Sequence, residues 1–481
     1  MAKSADFSEQ PNILYIVTDQ QRYDSLSCVG QWICQTPNLD RLAARGVRFD
    51  NAYTTCALCT PARASMLSGL LPHNHRLVRN CARGPLRDLP DDVRLISEDL
   101  IDAGYNCGYA GKWHCGMQKV PSTYGFVGMD VPNYGNPYGT DEYRNYIESR
   151  GLEAPERIQY VEVGREGGGG TLSGPVEACA PHFIAEFTIE LMKGFAEDRR
   201  QTGKPFMMFT SFWGPHLPCV IPEPYASMYD PGDVELWPNF FDELVGKPRV
   251  QARHRTGFGH PLDEADWRHY IAKYWGFCTL IDAEIGRMLD ALDALGIGDD
   301  TTVMFCSDHG DMSGAHGGFW DKGPMMYEET YHVPMVISGA EVEATGQVCD
   351  RLVWNMDLAS TVLEIAGATP GDNLDGRSLL PLIKDPNAEW QDDLIAEFHG
   401  HRYAYSQRML RWDHYKYVFN AGDVDELYDL NDDPYEMHNR VVDSTMTAVA
   451  QEGRDRLRTW IQNSRDDLSG ALPILQNFDP F

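Results

Sequence analysis

An α/β fold, with a large and mostly parallel central sheet flanked by helices, is predicted for residues 1–385, and a small C-terminal α+β subdomain, a small antiparallel sheet with a helix, for residues 386–481. Three observations predict it. Apolar runs such as Ile13-Leu14-Tyr15-Ile16-Val17 and Val303-Met304-Phe305 show no polar alternation, as in strands covered on both faces, and a carboxylate follows each, Asp19 or Asp308. Between them lie stretches of helical period: Tyr274, Phe277, Ile281, Ile285, Met288, Leu292 and Leu295 share one face before Gly296, and the run from Thr301 follows at once. A helix with one apolar face feeding a buried strand is the repeating unit of a parallel α/β sandwich.

The first strand is read from Asn12, with Asp19 and Gln20 at its carboxyl end, where chemistry gathers in open α/β sheets. A helix is expected from Cys59-Thr60-Pro61-Ala62-Arg63 onward, because proline is tolerated in a first turn, where its missing N–H would have had no partner. Cys59 then sits just ahead of the helix start, where exposed N–H groups favour an anion. Arg63, four residues on, would turn its guanidinium back toward residue 59 as a bidentate oxyanion partner. Residues 91–103 form a helix stopped by Gly104, and residues 183–195 form another ahead of the run Phe206-Met207-Met208-Phe209.

Four further segments carry chemistry-bearing side chains. Residues 104–114 end in Gly111-Lys112-Trp113-His114, and in an extended chain Lys112 and His114 face one side. Residues 211–218 set His216 after a strand, residues 301–311 bring Asp308 and His309 to a sheet edge, and residues 316–323 supply Lys322. Taken on the residues alone, other readings stand. Lys112 and His114 could end a strand in solvent, His216 could pack within its proline loop, and Cys56-Ala57-Leu58-Cys59 is also a C-x-x-C redox or metal pair.

The Cys-x-Pro-x-Arg pattern at 59–63 resembles the signature of the sulfatases of the alkaline phosphatase superfamily, and residues 104–114 resemble their second signature. Asp19, Cys59, Lys112, His114, His216, Asp308, His309 and Lys322 stand in the family's order, each in its own local pattern. The resemblance implies an alkaline-phosphatase-like fold and a sulfuric ester hydrolase of the arylsulfatase kind. It implies that a formylglycine-generating enzyme oxidises Cys59 to formylglycine, and that residue 59, Asp19, Gln20, Asp308 and His309 hold one divalent cation. Gln20 stands where the family commonly has a second Asp, and His309 where Asn is commoner. Those replacements make the site softer and less negative, so Ca²⁺ is expected, with Mn²⁺ as its rival.

In the mechanism that the resemblance implies, hydrated formylglycine attacks sulfur and forms a covalent sulfo-enzyme, while His216, with Lys322, serves the departing oxygen. His114 then takes the proton of the second hydroxyl, and sulfate leaves. Lys322 matches a lysine that contacts sulfate. Asn80 is a candidate contact to the transferred group, or else an ordinary loop residue. The nearest alternative is a phosphonate monoester hydrolase or phosphodiesterase of the same superfamily, against which Lys112 and His114 favour sulfate. The remote one is a non-catalytic thiol or metal protein built on Cys56 and Cys59. Residues 411–418 and 426–436 resemble the strand and turn of the family's C-terminal subdomain, and their role is read as structural.

A net charge of −30 argues against nucleic acid and anionic membrane surfaces as partners, and it opposes long-range capture of an anionic ester. Binding must come from the local cluster of metal, Arg63, Lys112, His114 and Lys322. No segment is long and apolar enough to span a bilayer, and Met1 to Gln10 does not resemble a signal peptide. Twelve scattered cysteines, one needed as a free thiol, fit a reducing cytoplasm. The glycine run 167–170 reads as a mobile loop. A homo-oligomer is a fair prior, and the sulfate ester itself, choline, aryl or sugar, stays open.

Overall fold

The computed structural model describes residues 10–466 and 468, apart from 31–32, 85, 164–166, 259–262, 344 and 372–373. Eight strands make its main sheet: β1 (Asn12–Asp19), β2 (Gly46–Phe49), β3 (Asn106–Gly111), β4 (Val127–Gly128), β5 (Phe206–Pro215), β6 (Thr301–Ser307), β7 (Met335–Gly339) and β8 (Gln347–Cys349). Their order is β8-β2-β7-β6-β1-β5-β3-β4. The central strands β6, β1, β5 and β3, with β4 at the edge, run parallel, and β7 is antiparallel to both its neighbours. All eight residues of β1 are buried. Successive side chains of a strand face opposite ways, and here Leu14 and Ile16 enter one core while Ile13, Tyr15 and Val17 enter the other. An uninterrupted apolar run is therefore what the centre of the sheet requires.

Helices cover both faces, those read from the sequence joined by one at Asp357–Ile365 that was not. The long helices Ala180–Thr202 and Glu264–Leu295 pack on the Leu14 side, and Cys59–Ser68, Ile96–Asp102 and Asp357–Ile365 pack on the Tyr15 side. The helix expected over 91–103 is thus confined to Ile96–Asp102.

The glycine run is a correction. Gly167–Leu172 is a strand, antiparallel to Arg157–Val163 and parallel to Cys219–Pro222, in a three-stranded sheet. Glycine is there because another chain segment lies close: a Cβ on Gly169 would come within 3.0 Å of the Lys273 side chain. Gly164 lies outside the described residues.

The C-terminal part is a four-stranded antiparallel sheet (Asp393–Phe398, Gln407–Trp412, Tyr415–Asn420, Glu426–Asp429) covered by the helix Thr447–Ser464. One face of the sheet meets that helix through Leu410, Tyr417, Leu457 and Ile461. The other face shares a core with the main body, where Leu394, Phe398 and Met409 join Tyr53, Leu58 and Trp354. Asp385-Pro386-Asn387, where the boundary is read, lies in the turn after the helix Leu380–Lys384.

Candidate active site

Parallel pairing of Thr18 with Ser307 sets the next residues of β1 and β6, Asp19 and Asp308, side by side. The Gln20 N–H donates to Asp308 Oδ1 at 3.0 Å, and the Asp308 N–H donates to the Thr18 carbonyl at 3.1 Å. Opposite them lies the start of the helix Cys59–Ser68. Cys59 is its first residue rather than the one before it, with Leu58 as the N-cap. Cys59 Sγ lies 3.7 Å from Asp19 Oδ1 and 3.3 Å from His309 Nε2. The donor atoms of Asp19, Cys59, Asp308 and His309 all fall within 4.8 Å of one another, and all four residues are buried.

Two cations hold this pair of carboxylates. Lys112 Nζ is 2.5 Å from Asp19 Oδ2. The guanidinium of Arg63 takes Asp308 Oδ2 at 2.8 Å and Asp19 Oδ2 at 2.9 Å, and its Nη1 donates to Ser211 Oγ at 2.5 Å and to the Lys112 carbonyl at 3.0 Å. Arg63 was expected to face an oxyanion beside residue 59. In the fold it braces the carboxylates instead, because buried charges without partners cost several kcal/mol each. Burial opposes charge on Asp19, yet Lys112, His216 and Arg63 outweigh it and hold the group well below the usual carboxylate range. For Asp308 burial wins, with Asp19 adding to it, and its pKa is raised. Burial lowers the His309 pKa, which leaves a neutral imidazole. Two carboxylates, a neutral imidazole and a side chain at 59 form a donor set suited to a divalent cation.

Gln20, read as a further metal ligand, stands beside this donor set with its amide hydrogen-bonded to protein groups. Its backbone is left-handed (φ 69°), its amide oxygen accepts from Lys322 Nζ at 2.5 Å, and its amide nitrogen donates to Asp311. Lys322 also meets Asp321 Oδ1 at 2.8 Å and His216 Nε2 at 3.0 Å. Burial opposes its charge, but Asp321 raises its pKa further. His216 is fixed by Nδ1, 2.6 Å from the Leu217 carbonyl.

Lys112 and His114 follow β3 rather than belonging to it. Gly111 (φ 105°) makes this turn possible, since a Cβ there would lie 1.8 Å from the Ser211 carbonyl oxygen, which accepts the Lys112 N–H at 2.9 Å. His114 (φ 53°) is buried, and its Nδ1 has no hydrogen-bond partner among the described residues. Burial, then Lys112, lowers its pKa well below the ordinary histidine value, so the ring is neutral. Thr60 Oγ1 donates to the His114 carbonyl at 2.6 Å and so ties the helix start to this loop. Asn80 acts there as well: its Oδ1 accepts the Thr60 N–H at 3.2 Å. Cys56 and Cys59 are both free thiols, and burial pushes the Cys56 thiol up, out of the range of a reactive pair.

Three participants carry no motif: Ser211 under Arg63, Asp311 behind Gln20, and Tyr134, whose ring lies beside Lys112. The only signal for Asp311 is its place two residues past His309, and none marks Tyr134.

The model of a protein family described as Sulfatase matches residues 11–368. Another, described as N-sulphoglucosamine sulphohydrolase, C-terminal, matches residues 314–463. The chain is 28% identical to the uncharacterized sulfatase YidJ of Escherichia coli, over 95% of this chain and 88% of that one. It is 27% identical to an arylsulfatase of Clostridium perfringens, over 90% of each. Among solved structures it is similar to the phosphonate monoester hydrolase of Agrobacterium radiobacter, with a TM-score of 0.78 at 25% identity, over 95% of this chain and 96% of that one.

Proposed function

Because this chain belongs to the sulfatase family and is a sulfuric ester hydrolase, we propose that it cleaves sulfate monoesters with Cys59 in its formylglycine form and one divalent cation held by residue 59, Asp19, Asp308 and His309. The observation that carries this reading is the gathering of those four donors within 4.8 Å at the carboxyl edge of the sheet. When bound, the cation and the modified side chain supply charge neutralisation and a nucleophilic oxygen.

The remaining work falls to side chains in place. Lys112 and Arg63 bind Asp19 and so fix the carboxylate beside residue 59. His216 is anchored at Nδ1, which leaves Nε2 to face the leaving oxygen; Nε2 accepts from the Lys322 ammonium at 3.0 Å, so the proton that the leaving oxygen needs is supplied by Lys322 through His216. His114 is neutral and has no partner at Nδ1 among the described residues, as a general base must be before it takes a proton from the 59 side chain. Ca²⁺ fits the oxygen donors and Mn²⁺ fits the imidazole, so both are to be tested.

Phosphonate or phosphodiester hydrolysis is the second reading, supported by the likeness to the Agrobacterium enzyme and by 29% identity to the multifunctional alkaline phosphatase superfamily protein PehA of Trinickia caryophylli, over 93% of this chain and 95% of that one. Lys112 and His114 favour sulfate. The deciding measurement is kcat/KM for an aryl sulfate against an aryl phosphonate with matched leaving groups; a large preference for the phosphonate overturns the ranking. We further place the protein in a reducing cytoplasm, a reading supported by its free cysteines, all but Cys28 buried. Cell fractionation tests it.

A further inference from the structure

Tyr134 touches three of the side chains to which chemistry is assigned. Lys112 Nζ lies 4.1 Å from the centroid of its ring. The His114 ring meets it edge-on, with centroids 5.6 Å apart and planes at 89°, and the His216 ring does so from 5.5 Å at 63°. The ring thus stands between the proposed acid and the proposed base.

Its backbone is fastened on both sides. Trp213 Nε1 donates to the Tyr134 carbonyl at 2.8 Å and to the Gly135 carbonyl at 2.5 Å, and the His114 N–H donates to the Asn133 carbonyl at 2.9 Å. The loop that carries the ring and the loop that carries His114 are therefore one hydrogen-bonded unit.

We propose that Tyr134 is a positioning residue for sulfate ester cleavage, its ring rather than its hydroxyl holding Lys112 against Asp19 and setting the separation of the His114 and His216 imidazoles. A cation over an aromatic face is worth about 0.5–2 kcal/mol, more where water is excluded, and the ring covers a side of the ammonium that Asp19 leaves open. A tyrosine ring has only two side-chain torsions, so it is a stiff spacer, and a misplacement of roughly 1 Å can cost about 10²-fold in rate. The inference rests on His216 serving the leaving oxygen.

Leaving-group dependence tests it. Phenyl sulfate has a poor leaving group that needs the proton, and 4-nitrophenyl sulfate has a good one that hardly does. In Tyr134→Leu, kcat for phenyl sulfate is expected to fall about 10²-fold and for 4-nitrophenyl sulfate less than about tenfold, with KM nearly constant. Tyr134→Phe keeps both within about threefold of the parent, because the ring remains. A loss in Tyr134→Phe as large as in Tyr134→Leu makes the hydroxyl the working group and overturns the proposal. Equal losses on both substrates, or a change in KM alone, also overturn it. If Tyr134→Leu does not fold, as judged by thermal melting, Tyr134→Met takes its place under the same criteria. His216→Gln is assayed in parallel. If it shows no leaving-group dependence, the premise fails and the inference with it; if it shows the dependence and the Tyr134 variant does not, the inference alone fails.

Discussion

Arg63 Nε donates to Asp308 Oδ2 at 2.8 Å, so a residue one helical turn past Cys59 grips the carboxylate that closes a strand 245 positions away. That bond, with its twin to Asp19, joins the helix that begins at Cys59 to both strands that supply the proposed metal donors.

Arg63→Lys should therefore behave as a severe change. A lysine ammonium is a point charge and cannot reach two carboxylates and Ser211 in one plane as the guanidinium fork does. Leaving one buried carboxylate unpaired is expected to cost about 3 kcal/mol or more of stability, and kcat/KM should fall at least about 10²-fold. Denaturant titration and steady-state kinetics check the two numbers, and a variant with parental values in both would show that the bridge is dispensable.

Chelation should separate activity from stability. Asp19 and Asp308 already have Arg63 and Lys112 as counter-charges, so the protein without metal does not confront two bare carboxylates. We expect EDTA to abolish turnover while the melting temperature falls by only about 1–2 °C, which is what about 1–2 kcal/mol produces in a chain of 481 residues at about 2.1 cal/mol/K of unfolding entropy per residue. Add-back of Ca²⁺ and Mn²⁺ to the chelated enzyme, read by activity and by metal analysis, identifies the ion. Unfolding on chelation would show that the two cations do not suffice.

Much of this arrangement was legible in the sequence. Strands buried on both faces are continuous apolar runs, so β1 and β6 announced themselves, and a polar residue straight after such a run can only emerge at the sheet edge. This places Asp19, Asp308 and His309 at one edge, whereas Lys112 and His216 joined them only through the resemblance to the order of residues in the family. Helical pitch, by contrast, gives the side on which Arg63 lies but not which partner waits there, and the carboxylates took it. The Gln20 amide turned to Lys322 and Asp311 for a similar reason, since a chain position does not fix a side-chain torsion. The glycine strand was hidden because low β-propensity hides strands chosen for close approach.

Maturation should precede folding. Every residue from Leu58 to Arg63 is buried in the finished protein, so no enzyme can reach the Cys59 thiol there. Folded protein made without a generating enzyme should stay a thiol when that enzyme is supplied later, whereas co-expression should give the aldehyde. Mass analysis of the Cys59 peptide distinguishes them, since conversion lowers the mass by about 18 Da and a disulfide by about 2 Da. Efficient conversion of the folded thiol form would count against this order of events.

Alkaline pH should loosen the junction with the C-terminal sheet. His73 Nδ1 lies 2.5 Å from Glu397 Oε1, and its Nε2 reaches the Ser464 carbonyl at 2.9 Å. Burial disfavours the imidazolium, but the hydrogen bond and charge of Glu397 outweigh it and raise the His73 pKa from 6.5 to about 9. A folded-state pKa above the unfolded one means that the stabilisation is complete below about pH 6.5 and disappears as the pH climbs through about 9. The shift corresponds to about 3 kcal/mol at the acid end of that window. His73→Gln keeps a donor for Glu397 but no charge. Parent and variant should thus differ by that amount near pH 6 and converge by about pH 10. Urea unfolding of both proteins across this range makes the measurement, and a gap that widened with pH would mean that the charged form of His73 does not hold the junction.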